Sequence, residues 1–135
     1  MKKKLFNTRA EGYVDTAISV LALTLVFLIA LSFFSVITQK TYLDMFSDSL
    51  LETACRSGRV DEEVSSRYRE LVELTGIQPD YVFNCQYIQG TNKIQLGDNI
   101  EVIVTMNSNL SGLFGNLFQI ELSSVGSSLS NVYWK

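Results

Sequence analysis

Hydrophobic positions run from Thr16 to Thr38 as TAISVLALTLVFLIALSFFSVIT, 23 residues without a charged side chain. Such a run is long enough to cross a bilayer as a helix and exceeds the apolar core of an ordinary secretory signal. The pattern then changes, but neither Pro nor Gly occurs before Gly58. One helix over Val14–Ser57 is therefore expected, starting around Gly12–Asp15, where a carboxylate suits the helix dipole. At 1.5 Å per residue it would be roughly 66 Å long, with about half of it clear of the membrane. In that outer half Leu43, Phe46, Leu50 and Ala54 share one face, while Asp44, Asp48 and Glu52 follow each other at i+4 on another. The apolar side needs a cover.

Gly58 suits the end of this helix, and Asp61 suits the cap of a second one over residues 61–75, with Glu62 and Glu63 in its first turn. Val64, Tyr68, Leu71, Val72 and Thr75 share its apolar face, and Glu63/Arg67 and Arg69/Glu73 are expected as i,i+4 ion pairs. Gly76 ends it, and Pro79 suits a helix-to-strand connection. From Asp80 the period becomes two: Tyr81, Phe83, Cys85 and Tyr87 alternate with polar and smaller residues. A short strand around Lys93–Leu96 and a stronger one over Ile100–Asn107 follow, separated by Gly97-Asp98-Asn99. A last strand over Phe118–Ser128 places Phe118, Ile120 and Leu122 opposite Gln119, Glu121 and Ser123. The expected fold class is α+β and membrane-anchored. A three- to four-stranded antiparallel meander packs on the outer half of the long helix, with the second helix between them. The chain divides into a basic leader (1–13), a transmembrane helix (14–38) and one domain (39–135), the last made of a helix extension (39–57), a helix (61–75) and strands over about 80–128.

Charge orients this plan. Of the 11 Lys and Arg, four precede the span, as Lys2, Lys3, Lys4 and Arg9; of the 14 Asp and Glu, only Glu11 and Asp15 do. The positive-inside rule puts the N-terminus in the cytoplasm and the acidic domain outside the cell membrane, in contact with lipid through a single pass. A net-negative domain disfavours nucleic acid as a partner. With no His in the chain, His-based acid–base chemistry and His metal ligation are excluded. There is no P-loop, nucleophile elbow or dinucleotide fingerprint, and the Asp44/Asp48/Glu52 series reads as a solvated helix face. The expectation is a non-enzymatic protein with no catalytic residues, cofactor, metal or small-molecule substrate. Cys55 and Cys85 admit two readings: one disulfide, contributing roughly 3–4 kcal/mol by loop-closure entropy, or two buried thiols.

Several positions stand out as contact residues. Asp15, with Glu11 beside it, sits where the helix enters the membrane. It reads either as an interfacial cap or as a charge that neutralises a cationic group, such as a freed amine, on a neighbouring helix. Ser19, Ala22, Ser32 and Ser35 are small side chains that let helices approach closely, although Ser and Thr also bond to the preceding turn's carbonyl. Leu113 and Phe114, bracketed by Gly112 and Gly115, read as a loop tucked under the sheet or as a partner contact.

A short basic leader, an acid at the start of a long hydrophobic helix, an amphipathic extension and a small outer meander resemble the type IV pilin and pseudopilin plan. More narrowly, Glu11-Gly12-Tyr13-Val14-Asp15, Gly112-Leu113-Phe114-Gly115 and the terminal Val132-Tyr133-Trp134-Lys135 resemble an uncharacterised bacterial family, domain of unknown function 4320. Its members are similar to the TadE-like minor pseudopilins of tight-adherence secretion and are often associated with conjugative elements. The resemblance implies a subunit that assembles with itself or with other pilin-like chains in an envelope filament, secretion or conjugation apparatus. It also implies a prepilin peptidase as partner. Cleavage between Ala10 and Glu11 would make Asp15 the fifth mature residue, as in pilins, but this leader would end in Ala where pilin leaders usually end in Gly, and the acid is Asp where theirs is Glu. The alternative is a membrane-tethered binding or adhesion module whose helix is a simple anchor.

Overall fold

The computed structural model describes the backbone of residues 4–109 and 119–135 and the side chains of 12–108 and 119–135. Among the described residues two helices precede three strands: α1 (Lys4–Ser57), α2 (Glu62–Thr75), β1 (Asp80–Cys85), β2 (Asn99–Asn109) and β3 (Gln119–Leu129). The strands form one antiparallel sheet in the order β1-β2-β3. The fold is the expected α+β arrangement, with α1 a single helix of 54 residues. It begins about ten residues before the expected start, because no Pro interrupts the leader and Gly12 alone does not break a helix that continues on both sides. α2 is capped as expected: the Asp61 carboxylate accepts from the Glu63 amide, and Gly76, with φ +71°, closes the other end.

The core lies between the outer half of α1 and the sheet. Leu43, Phe46, Leu50 and Ala54 are fully buried, as are Ile100, Val102 and Val104 on the facing side of β2. Full burial of a side chain of Leu or Phe size contributes roughly 1.5–3 kcal/mol, so this seam holds the sheet to the helix. Tyr81, Phe83 and Cys85 line the same side of β1; Tyr87 lies beyond the strand and is exposed. On β3 the helix-facing residues include Ile120 and Leu122, as expected, followed by the small Ser124 and Gly126. Gly126 explains the choice, since a Cβ on it would stand 2.7 Å from Ser47 Oγ and 3.1 Å from Leu51 Cδ2. The helix approaches β3 too closely for a larger side chain.

Three further differences have local causes. α2 does not lie between α1 and the sheet. α1 packs directly on β2 and β3, and α2 packs on α1's flank, reaching β1 through Tyr68, whose hydroxyl donates to the Pro79 carbonyl and whose ring lies 4.9 Å from that of Tyr81. The stretch 93–96 is not a strand of the sheet. Lys93 makes an isolated bridge to Arg59, and the Ile94 amide donates to the Gly58 carbonyl, so its backbone is spent on the α1–α2 corner. The ion pairs of α2 are Arg59–Glu63 and Arg67–Glu70 instead of the two expected. Arg59, in the corner, captures Asp61 and Glu63.

The C-terminal residues fasten that corner. The Asn131 amide donates to the Cys55 carbonyl, Trp134 Nε1 donates to the Gly58 carbonyl, and Lys93 Nζ lies 4.2 Å above the Trp134 ring. Gly58 adopts φ +64° with Val132 Cβ 2.6 Å from where its own Cβ would be, so both backbone conformation and space require glycine there.

Candidate functional site: the exposed helix and its junction with the sheet

The sheet covers the outer part of α1 and leaves the rest bare. α1 contains a segment long and apolar enough to cross a membrane, and its most apolar window is not buried inside the molecule. Leu21, Leu23, Phe27, Phe33, Phe34 and Ile37 are all more than half exposed. In water such a surface would be untenable, which fits a membrane anchor.

The small residues of this segment divide between two sides. At 100° per residue Ser19 and Ala22 are neighbours on one side, whereas Ser32 and Ser35 lie well round from them. Ser19 and Ala22 are exposed, while Ser32 is partly covered. The hydroxyls largely serve the helix itself: Thr16, Ser19, Thr24 and Ser32 donate to the carbonyls of Gly12, Asp15, Val20 and Leu28. This leaves an apolar, low-profile surface and few free donors. Asp15 is exposed. The side chains of Ala10 and Glu11, and the Leu113-Phe114 pair, lie outside the described residues.

Where the span ends, a polar clamp joins α1 to β3. Lys40 Nζ donates to Asp44 Oδ1 and to the Ser123 carbonyl, both at 2.7 Å, and Ser124 Oγ donates to the same Asp44 oxygen at 2.6 Å. The Lys40 ammonium and the Ser124 hydroxyl hold the Asp44 carboxyl below the ordinary Asp value, outweighing partial desolvation. The i,i+4 spacing of Lys40 and Asp44 was visible in the sequence, but their long-range partners on β3 were not. Asp48 and Glu52 are solvated, as expected.

From this clamp β3 runs in the same direction as α1. Ser123 and Ser124 meet Lys40 and Asp44, Gly126 meets Ser47 and Leu51, and Ser128 lies beside Cys55. The strands thus stand roughly along the helix. The same geometry removes the disulfide reading: Cys55 and Cys85 are free. Cys55 faces β3 while Cys85 sits on β1, with Ile100 of β2 between Cys85 and Ser128. Two inter-strand spacings amount to roughly 10 Å, beyond the reach of a disulfide. Burial pushes the Cys55 thiol up, with the Ser128 hydroxyl opposing.

A polar groove of about 860 Å³ separates α1 from α2, lined by Arg56, Arg59, Arg67 and several carboxylates. Arg59 and Arg67 are spent on Asp61, Glu63 and Glu70. Among the described residues no group of three or more Cys, Asp and Glu side chains is arranged to hold a metal.

Residues 20–135, covering most of the span and the whole sheet, match the protein family described as Domain of unknown function (DUF4320). The chain belongs to that family. No curated protein and no solved structure matches it. The outer part of α1, the α1–β3 clamp and the C-terminal fastening of this DUF4320 chain all lie inside the matched residues.

Proposed function

We propose that this protein is a non-enzymatic, pseudopilin-like subunit that spans the bacterial cell membrane once and assembles through its N-terminal helix in an envelope filament, secretion or conjugation apparatus. The N-terminus is cytoplasmic and the sheet extracytoplasmic in this reading, following the four basic residues before the span. The observation that carries it is the bare apolar surface of α1 joined without a break to the helix half that holds the sheet. A plain tether needs no such continuity, whereas a subunit packed by its helix does, because the stiff helix fixes where the domain stands relative to its neighbours. Ser19 forms the lateral contact, and Asp15 sits at the membrane boundary, where it neutralises a cationic group on the adjoining helix. If a prepilin peptidase trims the leader, the cut falls between Ala10 and Glu11.

A second reading, the tethered binding module, is favoured by the outer face of the sheet. There Val82, Ile103 and Val125 lie side by side in the strand register, and Val82 and Val125 are more than half exposed. Replacing residues 16–38 with an unrelated apolar helix separates the two. Co-purification of two differently tagged copies from detergent should be lost on replacement if the helix assembles the subunit. If it persists unchanged, the span is only an anchor.

A further inference from the structure

The sheet extends toward the span from the part of α1 that it covers. Because β2 runs opposite to β3 and β3 runs along α1, the end of β2 and the beginning of β3 form the end of the sheet nearest the apolar segment. From Gly126, which lies against Ser47 and Leu51, seven residues of strand back to Gln119 cover roughly 23 Å. On α1 that distance is about 15 residues. Allowing for the tilt of strand on helix, Gln119 comes level with the last turns of the span, around Phe34–Thr38. Burial along α1 agrees independently. Ile29, Ser32 and Val36, which share the sheet-facing side of the helix, are partly covered, whereas Leu31, Phe33, Phe34 and Ile37 are exposed.

This end of the sheet is also chemically suited to lipid. No charged residue occurs in the sequence between Glu101 and Glu121. Met106 and Leu122 are apolar and partly buried there, and Ile120 is 38% exposed although it points to the helix side of the strand. The nearest charges, Lys40, Asp44 and Glu121, sit at or above the level where the span ends. The apolar surface is therefore continuous from the bare side of α1 to the base of the hairpin.

We propose that the base of the β2–β3 hairpin rests in the boundary between lipid headgroups and acyl chains, in the leaflet from which α1 emerges. Lipid is its partner, and the domain is held at two points: by α1 itself and by an uncharged foot. The clamp of Lys40 and Asp44 on Ser123 and Ser124 keeps the foot beside the helix at headgroup height, where charged groups are solvated and apolar ones enter the acyl region. This rests on α1 crossing the membrane but not on any assembly of helices.

The native Trp134, at the far end of the domain, supplies an internal reference. The full-length chain, its Ile120→Trp and Gln119→Trp variants and a Leu129→Trp control would be placed at high dilution in phosphatidylcholine–phosphatidylglycerol vesicles containing acyl-brominated lipid. For a foot in the boundary, the emission added at 120 or 119 should be quenched about twofold or more relative to that added at 129 or that of Trp134 alone. Equal quenching at both ends of β3 overturns the inference, as does protection at 119 and 120 that appears only when copies are concentrated and so marks a protein partner. Flotation of the same vesicles separates the causes. A chain that floats with 119 and 120 unquenched overturns the foot alone, and a chain that does not float overturns the anchor and the foot together.

Discussion

Asp44 is the residue on which helix, strand and the end of the apolar segment converge, and its titration follows from its partners. The Lys40 ammonium and the Ser124 hydroxyl lower its folded-state pKa. The stability it contributes is therefore present above its unfolded pKa of about 3.9 and is lost as pH falls through the depressed folded value. Urea midpoints of the parent and of Asp44→Asn should differ near neutral pH and converge as pH falls through the depressed folded value, where the parent's carboxylate becomes protonated. A gap unchanged by acid would show that the clamp is not ionic. The cysteines make a second residue-scale test. Alkylation in denaturant without reductant should add two adducts, since Cys55 and Cys85 are free. In the native protein Cys85 should react first, because Cys55 is buried and its thiol is held protonated.

At the scale of elements, the packing of α1 on β3 is set by what is missing from Gly126. Gly126→Val should destabilise the domain by about 1–3 kcal/mol, read as a lowered urea midpoint with unchanged slope, because its side chain would displace Ser47 and Leu51. The helix side of this interface was legible in the sequence. Leu43, Phe46, Leu50 and Ala54 repeat with the helical period, and Ile100, Val102 and Val104 with the strand period, and all are buried. The β3 side was not, because a close approach is written there in Ser and Gly, which carry no hydrophobic signal. Nor was the position of α2, whose amphipathic face fits either a place between the layers or a place on α1's flank. The α1–α2 corner misled for a related reason: Ile94 is apolar and fully buried, but its backbone bonds to Gly58, a tertiary choice that alternation cannot reveal. The Cys55–Cys85 reading failed likewise, since sequence separation says nothing about which strand intervenes.

For the whole molecule, one continuous helix governs both halves. Its outer part forms the core with β2 and β3, its inner part is bare, and the strands stand alongside it. The long apolar run, the lack of breaks before Gly58 and the acidic bias beyond the span made this plan readable from the sequence. Which side of the bare helix remains open was not readable, because Ile29, Ser32 and Val36 become covered only through the fold. Lateral contacts between copies should consequently use the side of Ser19, about 80° round the helix from Ile29 and about 140° from Ser32, and avoid that of Ile29 and Ser32.

A cysteine scan along residues 16–38 in the native envelope, in a Cys55→Ser, Cys85→Ser background, tests that claim most directly. Oxidative crosslinking should rise and fall with the helical period, with its maximum on the side of Ser19 and little product at Ile29 and Ser32. No crosslinked species at any position, or equal yields all round the helix, would contradict assembly through α1.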